Sequence, residues 1–570
     1  MLRPVWIEPE PLPTESPALH DDPLLNELLY RRAIRDPAVA NDFLDDARRA
    51  APDPYRLPAM AEAVARVVRA LEHRERIAVY GDYDADGVTS TALLVRALRA
   101  AAADPSLVRW RVPTRGEGYG LHAPAIDEFA DAGAALLIAV DCASSDHENV
   151  AYARARGLDV VILDHHHMSD TGPAGAVVVS PQLAAAGQYR ELAAVGVAYL
   201  LVAALAQHGC RIDGGDGGEP ETDLLDYVAL GTIGDVAPLT GTNRALVRDG
   251  LRRIQERPRP GLAALCRRAG VAPLTLTAEQ VVFKLTPRLN AAGRMDDPAL
   301  AVRLLLTDDI AEAVGLADQL ETLNERRRAE SRRILAEAEA VIQTRTDWTN
   351  RRVLLLTGSG WTSGVLGIAA GQLAERHGRP VLVLSDDGVV SRGSARSVPG
   401  FDIAAALADC RHLLTQHGGH SQAAGLTVPS AQIGDLESAL EAALLSADLD
   451  LPRAPTLKID ADLPAASLTL ATARRLQAFE PFGVGNEQPL FRLRRLAVRR
   501  YDTIGKTGEH LKLHLASGRG TVGAVMWGAA NRSRELLFHS EIDAVATLGI
   551  DLWDGHPRLQ VELKDFRPAQ

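Results

Sequence analysis

Aromatic residues make up only 4% of this 570-residue chain, so its cores must rest on the Ala, Leu and Val that dominate a hydrophobic fraction of 46%. Cysteine is scarcer still. Cys142, Cys210, Cys266 and Cys410 lie far apart, with no C-x-x-C pair. That spacing points to neither a structural zinc cluster nor a disulfide framework. Long apolar runs are also lacking. The longest, Leu192 to Ala206, has 15 residues, short of the roughly 20 that span a membrane, and reads as a buried helix. Met1 to Glu10 carry no apolar signal core. The expectation is a cytoplasmic protein with no membrane association. Finally, positive charge is deficient: the net charge is −12. Nucleic-acid binders usually show a basic footprint, so binding of that kind requires a local basic surface.

At roughly 100–200 residues per domain, the length allows three to five folding units. A Pro- and acid-rich N-terminal extension, residues 1–54, includes a helical stretch at Pro23–Arg32. Over 55–305, short apolar runs alternate with helical patterns: helix Ala59–Leu71, strand Arg76–Tyr80, helix Val88–Ala101, strands Ala135–Val140 and Val160–Leu163. This predicts an α/β lobe with a mostly parallel sheet covered on both faces. Residues 306–345 carry Leu, Ala and Ile at helical spacing among many Arg and Glu, which predicts a long linking helix. A second α/β lobe spans 346–447. The last unit, 456–570, has alternation at Leu511–Leu515 between Gly-rich turns and reads as a small β-barrel.

Three acidic motifs follow apolar strands. Gly81-Asp82-Tyr83-Asp84-Ala85-Asp86-Gly87 follows the first, Asp141 the second, and Asp164-His165-His166-His167 the third. A fourth acid, Asp235, ends another apolar run, Val228 to Gly234, and is expected at a strand end too. In open α/β sheets, ligands bind beyond the carboxyl ends of the strands, so these groups should converge. Each motif has a bland alternative: a turn, a polar loop, or a helix cap at Asp141. Taken together they point to chemistry. Clustered carboxylates repel one another and need cations, and Asp/His ligation without Cys favours Mn²⁺ or Mg²⁺. Two such ions about 3.5–4 Å apart would serve phosphoryl transfer.

Asp82 to Gly87 and Asp164-His165-His166 resemble the first and third motifs of the DHH phosphoesterase superfamily, with Asp141 and Asp235 matching its second and fourth. The resemblance implies metal ligation by Asp84, Asp86, Asp141, His165 and Asp235, with Asp82 as a further ligand. Asp226 is the alternative to Asp235. It also implies catalytic roles for His166 and Asp82, and makes His167 a bystander. Within the superfamily, Val112 to Arg115, Gly118 to Leu121, Leu230 to Leu239 with Asn243 to Val247, Thr286 to Met295, and Leu323 to Arg327 resemble the RecJ family. Gly393 to Ser397 and Gly418 to Gly425 resemble Gly-rich loops of the DHH-associated domain, and Phe479 to Asn486 with His510 to Leu513 resemble an OB-fold. Where that family usually has His after Trp361, this chain has Thr362.

The resemblance covers roughly residues 55–570. It implies two α/β lobes, a DHH domain and a DHH-associated domain, joined by a long helix, plus a C-terminal OB-fold. It further implies a metal-dependent 5′→3′ exonuclease on single-stranded DNA that releases 5′-mononucleotides in DNA repair and recombination. Arg115, Tyr119, Arg288, Asn290, Arg294, Ser394, Arg396, Gly418, Gly419 and His420 would hold substrate. Single-strand binding protein and a helicase are implied partners of a monomer. Residues 451–570 carry 17 Lys/Arg against 13 Asp/Glu, a local +4. Arg492, Arg494, Arg495, Arg499 and Arg500 concentrate that charge, and a strand groove needs it. Two rival readings are an enzyme acting on short oligonucleotides or cyclic dinucleotides, for which an OB unit is superfluous, and a metal-free scaffold, which would not need intact acids.

Overall fold

The computed structural model describes residues 3–12, 18–44, 51–168, 172–183, 187, 189–212, 222–451, 454–517, 520–536, 541–551 and 556–569. The chain divides into two compact units. One comprises residues 52–453 with 483–485, the other 1–51, 454–482 and 486–570.

In the larger unit, the first lobe holds a five-stranded, all-parallel sheet in the order Val108–Arg111, Arg76–Tyr80, Ala134–Val140, Asp159–Leu163, Ala176–Val179. Ile77, Val79, Ile138 and Val140 pack into one core, while Ala78, Tyr80, Leu137 and Ala139 pack into another. Period-2 alternation thus serves both faces, and helices cover each. The apolar run near Leu192 is the buried helix Ala194–Gln207. Ile310–Thr344 forms one 35-residue helix leading to the second lobe.

Two sequence expectations change here. The apolar run before Asp235 is a helix, Leu225–Gly234, not a strand. It is buried all round, and periodicity cannot separate such a helix from a buried strand. The Gly-rich stretches of the second lobe are strands rather than loops. Val390–Arg396, Gln416–His420 and Ala423–Pro429 belong to a five-stranded sheet completed by Val381–Asp386 and Leu354–Gly358. Glycine there permits close strand approach: a Cβ on Gly393 would lie 2.1 Å from the Val383 carbonyl oxygen.

The smaller unit is a closed five-stranded barrel in which Phe491–Ile504 pairs with both His510–Ser517 and Glu541–Asp551. The N-terminal residues complete it. Val5–Ile7 pairs with Thr456–Lys458, and Leu25, Leu28 and Leu29 enter the barrel core beside Phe479 and Phe491. Among the described residues, no helix is long and apolar enough to cross a membrane.

Asp226 lies in the first turn of the helix Leu225–Gly234, wholly buried, with its carboxylate 2.8 Å from Arg259 Nε. Removing one partner of a buried pair strands the other charge. Asp226→Ala is expected to lower the unfolding free energy by about 3–5 kcal/mol, nearer the lower figure because Asp223 also faces Arg259. Denaturant melts would show it, and an unchanged midpoint would contradict this role.

Candidate metal centre and phosphate site

The motif after the strand Arg76–Tyr80 passes directly into a helix, Ala85–Ala101. Asp84 is its N-cap and accepts from the backbone N–H groups of Asp86 (2.9 Å) and Gly87 (3.2 Å). Gly87 is required by space, since a Cβ there would meet the Asp82 backbone at 2.5 Å. Asp86 is buried, and its two oxygens accept from the amides of Ala194 (2.7 Å) and Val195 (2.9 Å) at the start of another helix. Asp141 follows its strand with φ of +62°, a conformation rare for non-glycine residues that costs on the order of 1–3 kcal/mol and clusters at functional sites.

These residues converge. Ligand-capable atoms of Asp82, Asp84 and Asp141 lie within 4.8 Å of one another, as do those of Asp86, His165 and Asp235, and those of Asp141, His165 and His166. His165 Nε2 is 3.4 Å from Asp141 Oδ1, and its Nδ1 is 3.9 Å from Asp235 Oδ2. Asp235 reaches this cluster from a helix C-terminus, whereas Asp226 is held by Arg259.

Burial and mutual repulsion set the electrostatics. Burial and Asp84 raise Asp82 well above the usual carboxylate range, and burial with Asp86, Asp84 and Asp82 does the same to Asp141. Asp86 is pushed up to about 7 by burial and Asp84, and Asp235 to about 8 by burial, Asp86 and Asp84. Burial and His166 take His165 down to about 4, leaving it a neutral donor. Buried polar atoms normally have partners, yet Asp82 Oδ1, Asp141 Oδ1 and His165 Nε2 are buried without one. Unpaired hard donors among repelling acids fit divalent cations.

Asp164, whose part sequence reasoning left unassigned, does not belong to these triads. It accepts from Ser144 and, at 2.8 Å, lies against His166 Nδ1. Burial works against its charge, but the bonds from His166 and Ser144 hold it at about 2. Burial likewise opposes charge on His166, but Asp164 and the acids around it push that ring up to about 9. Its position as the acid opening Asp164-His165-His166 was the available signal. Tyr119 Oη lies 3.1 Å from His166 Nδ1 and 3.3 Å from the Asp141 carbonyl oxygen.

A basic cluster adjoins the acids. Arg294 donates to the Gly364 carbonyl at 3.0 Å, and burial together with Arg115 and Arg327 lowers it to about 10, with Arg396 adding further repulsion and Asp84 opposing it. Arg115 stacks 4.5 Å over the Tyr83 ring. Ser394 and Arg396 share one strand face beside Gly367, where a Cβ would come within 2.9 Å of the Arg396 guanidinium. Repelling guanidiniums beside hydroxyl donors suit a phosphate. Asn290 Oδ1 is buried and unpartnered. Gly418, Gly419 and His420 form a strand, and burial, Arg396 and His166 lower the His420 ring. Thr362 caps the helix Ser363–His377, and its hydroxyl donates to Glu330 at 2.9 Å.

Arg288 and most of the barrel arginines expected to carry the local positive charge have carboxylate partners. Arg288 is paired with Glu321 at 2.5 Å and donates to the Lys284 carbonyl. In the barrel, Arg492 is buried between Asp462 and Glu8. Arg494, Arg495 and Arg500 also face carboxylates. Sequence reasoning missed Trp527, 52% exposed and edge-on to His510 at 4.8 Å.

The fold and the site define a DHH-type phosphoesterase. Family models match as "DHH family, N-terminal domain" over residues 76–232, "DHHA1 domain" over 350–446 and "RecJ OB domain" over 459–565. The single-stranded-DNA-specific exonuclease RecJ of Salmonella typhimurium is 34% identical over 96% of both chains. That of Bacillus subtilis is 32% identical over 96% of this chain and 68% of its own. A crystal structure of RecJ in complex with Mn²⁺ from Thermus thermophilus superposes with a TM-score of 0.83 at 31% identity, over all of this chain and 80% of the other. The chain belongs to the RecJ family.

The raised carboxyls make a testable signature. An acid whose folded pKa exceeds its unfolded value near 4 binds more protons when folded, so stability falls as pH rises through that interval. The chelated protein should lose melting temperature between about pH 4, the unfolded carboxylate value, and the folded values of about 7 for Asp86 and about 8 for Asp235. Mn²⁺ should restore more at pH 8 than at pH 5, because the ligands must shed protons. Thermal melts with and without Mn²⁺ measure this, and a pH-independent increment would argue against binding at these acids.

Proposed function

We propose that this chain is a divalent-cation-dependent exonuclease specific for single-stranded DNA, removing 5′-mononucleotides from the 5′ end in DNA repair and recombination. The observation that carries this reading is the buried, partnerless Asp82–Asp141–His165 donor set beside the Arg115–Arg294–Arg396 cluster. The donors suit two Mn²⁺ or Mg²⁺ ions, one among Asp82, Asp84 and Asp141, the other among Asp86, His165 and Asp235. When bound, such ions activate water for attack on phosphorus and stabilise the departing oxygen.

The chain's own groups do the rest. With Nδ1 held by Asp164, charged His166 turns Nε2–H toward a phosphate oxygen and offsets charge developing there. Arg115, Arg294, Arg396 and Ser394 bind the terminal 5′-phosphate, which differs from internal phosphates by extra charge and a further free oxygen. Tyr119, Asn290, Gly418, Gly419 and His420 line the strand's path. A crevice between two lobes admits a single strand and rejects a duplex. In the barrel, exposed Trp527 offers a face for base stacking. Single-strand binding protein and a helicase are the proposed protein partners of a monomeric enzyme. Four free cysteines suit a reducing cytoplasm.

Chelation should abolish nuclease activity and Mn²⁺ restore it. Asp84→Ala and Asp141→Ala should each reduce kcat by about a hundredfold or more, since even outer-shell partners are worth 10–100-fold. Full activity in either variant would remove the assignment.

Gel assays on 5′- and 3′-labelled strands test polarity. Label should leave first from the 5′ end as mononucleotide. Arg396→Ala should raise KM roughly tenfold or more on 5′-phosphorylated strands, the scale of a charge-assisted bond, with little change on 5′-hydroxyl strands. Loss from the 3′ end first, or equal attack on blunt duplexes, would refute the reading.

A further inference from the structure

The helical run Ala278–Met295 contains a widened turn. Val281–Leu285 is a π-helix, closed by the Thr286 amide reaching back to the Val281 carbonyl. Pro287 explains it: with no N–H, proline cannot bond the carbonyl of Phe283, and its ring crowds that carbonyl. One residue on, Arg288 donates from its side chain to the Lys284 carbonyl at 2.5 Å while pairing with Glu321 of the long helix. One consequence is that Phe283 is thrust outward, 72% exposed. Interior π-turns occur mostly at functional sites.

Between this turn and the long helix lies a cavity of about 380 Å³, lined by Phe283, Lys284, Arg288, Asn324, Arg327 and Arg328. Glu321 already neutralises Arg288. Lys284, Arg327 and Arg328 have no carboxylate in ion-pair distance among the described residues. Asn324 is 2% exposed with an unpartnered Oδ1, and Arg327 Nε is buried and unpartnered as well. Burial, Arg328 and Arg288 weaken Arg327's hold on its charge, and Arg327 in turn repels Arg294 beside the metal centre. Arg327 thus lies within electrostatic reach of both Arg328 in the groove and Arg294 beside the metal centre.

We infer that this groove is a strand-binding subsite of the proposed nuclease, in which Phe283 stacks a base while Lys284, Arg327 and Arg328 hold phosphates outside the reaction centre. The inference rests on the single-strand nuclease reading. An aromatic face beside phosphate-spaced cations is the chemistry of sequence-independent strand binding. The exposure of Phe283 and Arg328 at the groove's mouth, and the repulsion that links Arg327 to Arg294, favour a passing strand over a sealed nucleotide pocket.

The test measures anisotropy of the full chain with labelled dT₂₀ in EDTA, alongside Mn²⁺-dependent cleavage of dT₂₀ and of a dinucleotide. Phe283→Ala should weaken dT₂₀ binding roughly five- to a hundredfold, and Phe283→Trp should retain it. Lys284→Ala with Arg328→Ala should flatten the log–log salt slope by about 1.4, at about 0.7 per phosphate. Phe283, Lys284 and Arg328 are exposed, so folding is preserved. Dinucleotide cleavage should stay as in the unaltered protein. Unchanged dT₂₀ binding, equal loss on the dinucleotide, or an effect confined to competition by dTMP would each overturn the inference. If the unaltered chain cleaves no single strand in Mn²⁺, the nuclease reading fails and takes the subsite with it; cleavage with indifferent variants removes the subsite alone.

Discussion

Like charges brought together out of water are the constraint around which this molecule is organised. Asp82, Asp84, Asp86, Asp141 and Asp235 face one another at the carboxyl end of a parallel sheet, and burial sharpens their repulsion. No arrangement of hydrogen bonds could satisfy all five, because the amides of Ala194 and Val195 and the N-cap geometry of Asp84 serve only some oxygens. The scaffold instead holds the acids apart from alternative partners. Asp141 is kept in a left-handed conformation, and Gly87 is kept bare so that the helix can start beside Asp82. A cation is what such a site leaves to be supplied.

The opposite problem is posed by Arg115, Arg294 and Arg396, which repel one another next to the acids. The long helix ties the lobe that carries Arg396 to the helix's own surface. Glu330 binds the hydroxyl and amide of Thr362, and Glu337 takes the Trp361 indole N–H.

Much of this was legible in the sequence. Strand ends followed by Asp82 to Gly87, by Asp141 and by Asp164-His165-His166 located one crevice, and the 35-residue helix was visible in its spacing. Less legible was anything requiring a choice between two local states of the same pattern. The run before Asp235 could be helix or strand because it is buried on every side. Gly393 to Ser397 read as a loop, because glycine chosen for close strand approach looks the same in sequence as glycine chosen for a turn.

Local periodicity and the placement of acids after apolar runs therefore came from the chain alone, since they depend on neighbours a few residues away. Which charges are free was decided by tertiary structure. Arg288 and Arg294 lie on one helix six positions apart, yet Glu321 neutralises the first while the second joins a cluster of arginines. Arg492 is buried against Asp462 and Glu8, whereas Trp527 of the same barrel unit stays exposed. Those partners are tens to hundreds of residues distant, and a charge becomes available for a phosphate only when folding brings no carboxylate to meet it.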